Sequence, residues 1–422
     1  MITNINFCEH SEFYTPNIGI EIVTDEDLSP NVRNLIDKAN FSSTTPIESW
    51  SVLGTNQQQA YLTHGIFRYF GKFPPSIATY LITTFSTTDE LVIDPMCGSG
   101  STALECKLLN RSCVINDINP LSIAITKAKT TYIAEDRLTR ALNKIVKNYK
   151  PLTVDEYPFT PSDLENYQHW FLEETENSLR GLKFLIEKIS DKDIRNFYLV
   201  IFASIVRRVS KATTQQGRLF LDINTAVPDA LEMFKNKALK EIKNVSRLPE
   251  NTAKVQIYNS DMKNLQMYNY KGKASLVILH PPYFNSYKYS SINSLESGWL
   301  GFSRVSFRKQ EIKEFFKVGK PEKYIDYVND MEIALNSALE LLKPGGTLAL
   351  MIGDSIIKGN YLPVTNTLIN RIDISKYAIE KIAVRVPKYT EASWVASQRR
   401  NSNDIGVSLN DFIVIIRRKE NE

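Results

Sequence analysis

The chain has 422 residues, of which 43% are hydrophobic and 23% charged, as in globular proteins long enough for two domains. No run of about 18 apolar residues occurs, which excludes a spanning helix, and MITNINFCEHSEF at the amino terminus lacks the features of a secretory signal. The net charge of +4 permits nucleic acid as a partner without demanding it. Cys8, Cys97, Cys106 and Cys113 lack C-x-x-C spacing, which argues against a zinc site or disulfide framework and suits a reducing cytoplasm.

Residues 1–63 show weak periodicity and many breakers, and read as an irregular leader with at most one short helix. Helical spacing follows a Pro-Pro start over 74–86. Strands are expected at 91–94, 112–117, 254–259, 274–280, 346–352, 381–386 and 411–417, with helices at 101–110, 119–130 and 324–342 between them. This alternation predicts an α/β fold, a seven-stranded, mostly parallel sheet covered on both faces. No convincing helix separates the last two strands, so they are expected to pair antiparallel at one edge. Residues 131–250 are charged, helical in pattern and without a clear strand, too long for a crossover, and read as an inserted helical subdomain.

The strand at 91–94 runs into Asp94-Pro95-Met96-Cys97-Gly98-Ser99-Gly100 and then a helix. Gly98 and Gly100 let a ligand approach the backbone, and the helix start offers free N–H groups. No Gly-Lys-Ser/Thr follows, so this is not a Walker loop, and the third glycine of the dinucleotide fingerprint is absent. Asp117 ends the next strand, where a carboxylate can accept both hydroxyls of a ribose. Asp94 either faces the pocket or caps the glycine turn, and the two roles are compatible.

Residues 274–283 read Ala-Ser-Leu-Val-Ile-Leu-His-Pro-Pro-Tyr. An apolar strand is stopped by two prolines that cannot extend a ladder. His280 and Tyr283 are thereby placed on a stiff turn at the carboxyl edge of the sheet, where ligands of such folds bind. Three basic clusters flank this region: Arg207, Arg208, Lys211 and Arg218; Arg304, Arg308 and Lys309; Lys388, Arg399 and Arg400. Each is either a solvated face or a nucleic-acid contact.

Together these motifs resemble the S-adenosylmethionine-dependent amino-methyltransferases that act on DNA bases. Residues 94–100 look like that family's D-P-x-x-G-S-G cofactor motif, and His280-Pro281-Pro282-Tyr283 like its D/N/S-P-P-Y/F/W catalytic motif. Lys343-Pro344-Gly345-Gly346 is similar to the turn before the family's fifth strand. Phe67 to Pro75 resembles its amino-terminal cofactor motif, with Lys72 and Phe73 in matching positions. Asn116 to Pro120, with Asp117 and Ile118, and Ser260-Asp261-Met262 match the ends of its second and third strands.

The resemblance implies a Rossmann-like methyltransferase fold, with the cofactor half at 64–130 preceding a catalytic half at 251–422. It implies S-adenosyl-L-methionine as cofactor, held by Lys72, Phe73, Asp94, Pro95, Cys97, Gly98, Gly100, Asp117, Ile118 and Asp261. It also implies catalysis by His280, Pro281, Pro282 and Tyr283 without a metal, and double-stranded DNA as substrate. A cognate restriction endonuclease as a separate chain follows from family habit. Target recognition is expected from the 131–250 insertion or from 284–323.

One position departs from the family pattern. The motif opens with His280 where Asp, Asn or Ser is usual, and a neutral histidine can still accept a hydrogen bond from an exocyclic amine. Tyr283 followed by Phe284-Asn285 and Tyr287 leans toward cytosine N4 over adenine N6. A carbon-5 cytosine mechanism is disfavoured because no cysteine lies near 280–283. The alternatives are an RNA (tRNA) base methyltransferase and a non-catalytic cofactor- or DNA-binding subunit.

Overall fold

The computed structural model describes residues 1–7, 12–14, 18–215, 218–262, 269–284, 289–308, 310–312, 322–357, 360–386 and 411–420. The amino-terminal segment forms β1 (Ile2–Asn6), β2 (Gly19–Thr24), α1 (Pro30–Ala39) and β3 (Ile47–Leu53). The Ser29 hydroxyl caps α1 by accepting the Val32 N–H, and Pro30 occupies its first turn. Next come α2 (Pro75–Phe85), β4 (Leu91–Asp94), α3 (Ser101–Leu108), β5 (Ser112–Asn116) and α4 (Pro120–Thr130).

The inserted stretch holds α5 (Glu135–Asn148), α6 (Glu173–Glu187), α7 (Lys192–Val206) and α8 (Ala230–Val245). A small hairpin of β6 (Ala212–Gln215) and β7 (Arg218–Leu221) joins α7 to α8. The chain then returns through β8 (Val255–Tyr258) and β9 (Ala274–Leu279). α9 (Tyr289–Ile292), α10 (Ser294–Leu300), α11 (Arg304–Arg308) and α12 (Glu322–Leu339) follow. The last elements are β10 (Leu342–Ile352), a β11 (Ser355–Ile357) and β12 (Asn360–Leu362) hairpin, α13 (Val364–Ile369), β13 (Tyr377–Arg385) and β14 (Asp411–Arg418).

Ten strands form the main sheet in the order β1-β2-β3-β13-β14-β10-β9-β4-β5-β8. The seven expected strands are its contiguous stretch from β13 to β8, parallel except for β14, which runs antiparallel to both β13 and β10. This is the Rossmann-like layout expected from the sequence. β9 is central, and its side chains alternate: Val277 and Leu279 face a core with α12, while Leu276 and Ile278 face one with α2 and α3.

Two expectations need correction. The leader is not irregular: β3 pairs parallel with β13, and β2 and β1 extend the sheet antiparallel, so the β13–β14 hairpin is not at an edge. β1 is mostly exposed, and β3 buries Ser49 and Ser51 beside Trp50, so neither shows an unbroken apolar run. The insertion also contains the β6–β7 hairpin, which is too short to show periodicity. Its helices do not pack by themselves. Phe197, Ile201 and Val206 of α7 share one core with Leu121 and Ile125 of α4 and Leu295 and Trp299 of α10. Among the described residues, no helix is long and apolar enough to cross a membrane.

Candidate functional site

The turn after β4 is built on two left-handed glycines, Gly98 (φ +50°) and Gly100 (φ +70°). A Cβ on Gly100 would lie 2.4 Å from Thr126 Oγ1 of α4, and one on Gly98 would press on the Tyr69 ring at 3.3 Å. Asp117, just beyond β5, closes this turn. One of its carboxylate oxygens accepts the Gly98 N–H and the other the Asn119 N–H, each at 2.8 Å. Asn116 adds a second clasp: its amide donates to the Pro95 and Ser260 carbonyls at 3.2 and 2.8 Å.

A cleft opens on this turn at the carboxyl ends of the parallel strands. Phe73, Asp94, Pro95, Cys97, Gly98, Asp117, Ile118 and Asp261 line it, together with His280 and Pro282. Thus eight of the ten expected cofactor residues meet two of the four expected catalytic ones. Gly100 lies behind the wall, against Thr126. Lys72 is also absent from the lining. Its ammonium donates to the His64 carbonyl at 3.2 Å, and burial lowers its pKa to about 8. Pro281 is buried and does not line the cleft.

The electrostatics favour a cationic ligand. Burial raises the pKa of Asp94 to about 7 and that of Asp117 to about 6, although backbone N–H groups pull both back. Cys97 is buried in the wall and burial pushes its thiol up, so it stays neutral. Ser99 also lines the cleft, and its hydroxyl is buried without a hydrogen-bond partner. Two carboxylates and an apolar wall suit a bound nucleoside that carries positive charge, and the orphaned hydroxyl offers it a hydrogen bond.

Asp94 has a stability consequence. Its native pKa of about 7 lies above the unfolded value of about 3.9. Between these values the native state holds a proton that the unfolded chain releases. The stability supplied by the neutral carboxyl is therefore full below about pH 4 and lost as pH rises through about 7. The ligand-free protein should thus lose stability from pH 5 to 8 relative to Asp94→Asn, read as the difference in urea midpoints. A pH-independent difference would contradict the raised pKa.

At the catalytic turn, His280 Nε2 lies 3.1 Å from the Tyr283 hydroxyl, and its ring meets Phe73 edge-on at 5.3 Å. Burial lowers the His280 pKa to about 4, with Asp411 and Arg385 pulling in opposite directions. The imidazole is therefore neutral at pH 7. Tyr283 is half-buried beside His280 and is not part of the lining, and a Cβ on Gly353 would come within 3.1 Å of its ring. Tyr327, buried on α12, donates to the Pro282 carbonyl at 2.7 Å and holds the turn from below.

Ser99, Asn116 and Met262 fell inside the sequence motifs but were not singled out as cofactor residues, yet they line the cleft. Tyr69 was also not singled out, and Gln310, Glu311 and Ile312, which approach the cleft from beyond α11, were missed. Tyr69 lies within the 67–75 stretch and was legible there. The 310–312 segment has no periodicity that would have marked it.

The basic clusters fare unequally. Arg207 is not available to a phosphate, because its guanidinium pairs with Glu296 at 2.8 Å and donates to the Ile292 carbonyl. Arg208 and Arg308 are exposed, while Lys211 and Arg304 are half-buried. Lys309, Lys388, Arg399 and Arg400 lie outside the described residues, as does the Arg218 side chain.

A family model described as DNA methylase matches residues 23–128. Type II methyltransferase M.MvaI of Kocuria varians is 25% identical over 356 residues, 75% of this chain and 73% of that protein. Type II methyltransferase M.BsoBI of Geobacillus stearothermophilus is 25% identical over 333 residues, 71% of this chain and 65% of its own length. An rRNA methylase structure from Streptococcus thermophilus is 10% identical with a TM-score of 0.30, covering 83% of this chain and 98% of its own. At that score the superposition adds nothing to the fold as read from its strand order. The family model covers the cofactor turn and these two Type II methyltransferases match over most of the chain, which supports an S-adenosylmethionine-dependent DNA amino-methyltransferase.

Proposed function

We propose that the chain transfers a methyl group to an exocyclic amine of a base in double-stranded DNA, cytosine N4 ahead of adenine N6. The observation that carries this reading is a neutral imidazole, His280, facing the cofactor cleft from a Pro-Pro turn. The cofactor, when bound, supplies a methyl group made electrophilic by its sulfonium charge. Phe73, Asp94, Pro95, Cys97, Gly98, Asp117, Ile118 and Asp261 would hold it, with Lys72 and Gly100 acting from behind the wall. Asp117 would accept the ribose hydroxyls, since each oxygen that already accepts one N–H retains a lone pair.

An exocyclic amine is a weak nucleophile because its lone pair is delocalised into the ring. His280 and the Pro281 carbonyl would accept its two hydrogens and pull the nitrogen toward tetrahedral geometry. With Nε2 on the Tyr283 hydroxyl, Nδ1 is the nitrogen left to meet the amine. Tyr283 would also stack on the extruded base, because the target atom is unreachable within a duplex. Positioning then supplies most of the catalysis.

Tyr283→Ala should lower methyl transfer roughly 10–100-fold, the range of one base-stacking contact, while Tyr283→Phe keeps the ring and should lose only a few-fold. Equal losses in both, measured as kcat/KM for DNA, would assign the effect to the hydroxyl alone. The preference for cytosine rests on Tyr283, Phe284, Asn285 and Tyr287, of which the last two lie outside the described residues. A restriction–modification role with a separate endonuclease, in the cytoplasm, accords with the Type II relatives. The test is label transfer from methyl-labelled cofactor to duplex DNA, with nucleosides resolved by mass spectrometry. N4-methylcytosine is the expected product, N6-methyladenine would move the assignment, and label in RNA alone would sink it.

A further inference from the structure

α3 carries one acidic side chain, Glu105, and it is 0% exposed. An ionised carboxylate is tolerated at such depth only with a full set of partners. Its Oε1 meets the Tyr61 hydroxyl and His64 Nε2, each at 2.6 Å, and its Oε2 meets the Tyr14 and Thr79 hydroxyls at 2.7 and 2.8 Å. Four donors occupy every lone-pair direction of a carboxylate. Burial raises the Glu105 pKa, while the bonds from Tyr61, Tyr14 and Thr79 and the field of Lys72 pull it back.

These donors come from separate parts of the amino-terminal half: the segment before β2, two short turns at 58–65, and α2. The chain between Ile66 and Pro74 forms neither helix nor strand, yet it supplies Tyr69, Gly71 and Phe73 to the cleft. Its position is set by anchors. The Glu105 knot holds its start, Lys72 is tied back to the His64 carbonyl, and the Tyr69 hydroxyl lies 3.0 Å from Ser122 Oγ.

We propose that Glu105 is a positioning residue for the cofactor. By gathering Tyr14, Tyr61, His64 and Thr79, it fixes the 61–73 segment so that Tyr69 and Phe73 close the cleft against the 94–100 turn. The proposal rests on the cofactor and not on which base is methylated. Its first test, cofactor binding, therefore needs no DNA.

Glu105→Gln turns one oxygen into an amide that faces two donors. Hydrogen bonds to a charged group are worth enough for about a tenfold or greater rise in the dissociation constant of S-adenosylmethionine, read by calorimetry. The KM for cofactor should rise in parallel, with kcat at saturating cofactor within about threefold, a split that general loosening of the fold would not give. An unchanged dissociation constant in the folded variant, or a fall in kcat at constant KM, would overturn the proposal. Tyr14→Phe and Tyr61→Phe each delete one hydrogen bond and keep the ring, and should raise the constant several-fold. Should Glu105→Gln fail to fold, unchanged binding in both tyrosine variants overturns it equally. Wild-type protein that binds cofactor but methylates no DNA would count against the proposed function and leave this test intact.

Discussion

His280→Ala is expected to lower kcat for methyl transfer about 10²–10³-fold, the usual loss for one positioned hydrogen-bonding group in a water-excluded site. The loss should fall on kcat, with a much smaller change in cofactor affinity, because the carboxylates and the glycine turn remain. His280→Asn restores an acceptor of similar reach and should recover part of the rate. The pH profile supplies a second reading. With its pKa lowered to about 4, His280 stays neutral over pH 5.5–8 and imposes no fall in rate there. At an ordinary pKa the histidine would switch off turnover below about pH 6.5. Full turnover by His280→Ala would end the proposal that it holds the amine.

Arg207→Ala is expected to destabilise the protein by about 3–5 kcal/mol, the range for breaking a buried ion pair at one partner. The Arg207 and Glu296 side chains are 13% and 6% exposed, so the truncation strands a carboxylate between α7 and α10. It also removes the donor to the Ile292 carbonyl and the guanidinium lying over Phe70. Urea midpoints would measure the loss, and Arg207→Ala combined with Glu296→Ala should recover much of it. A phosphate contact behaves differently, weakening DNA binding and reducing its salt dependence by about one unit of slope without touching stability. Unchanged stability with weaker DNA binding would return Arg207 to the nucleic-acid surface.

The difference between these two residues shows where sequence reasoning reaches. Residues 274–283 were legible because an apolar run ending in two prolines leaves the backbone few options, and neither depends on distant contacts. The 94–100 turn was legible for the same reason: glycines in a strand–turn–helix unit report local backbone needs. Basic residues carry no such local signature. Whether an arginine meets phosphate or a buried glutamate depends on which helix lies opposite, here α10, some ninety residues away.

Glu105 is the stronger case. Nothing local within STALECKLLN marks it, yet every residue of α3 is buried, because α2, α4 and the 62–65 turn pack around it. Lys72 misled in the opposite sense: its place in the motif suggested the cleft, and its side chain turned back to a carbonyl. β1, β2 and β3 went unseen because β1 is mostly exposed, β2 is short and sets Glu21 between its buried isoleucines, and β3 is interrupted by serines.

The sequence by itself determined the parallel sheet, the glycine turn, and the Pro-Pro stop that presents His280, since each follows from periodicity and backbone chemistry within a few residues. Only the tertiary structure decided the charge state of His280, the inward turn of Lys72 and Arg207, and the knot on Glu105. Those depend on which groups are withdrawn from water and on the partners that segments far apart in the chain bring to them.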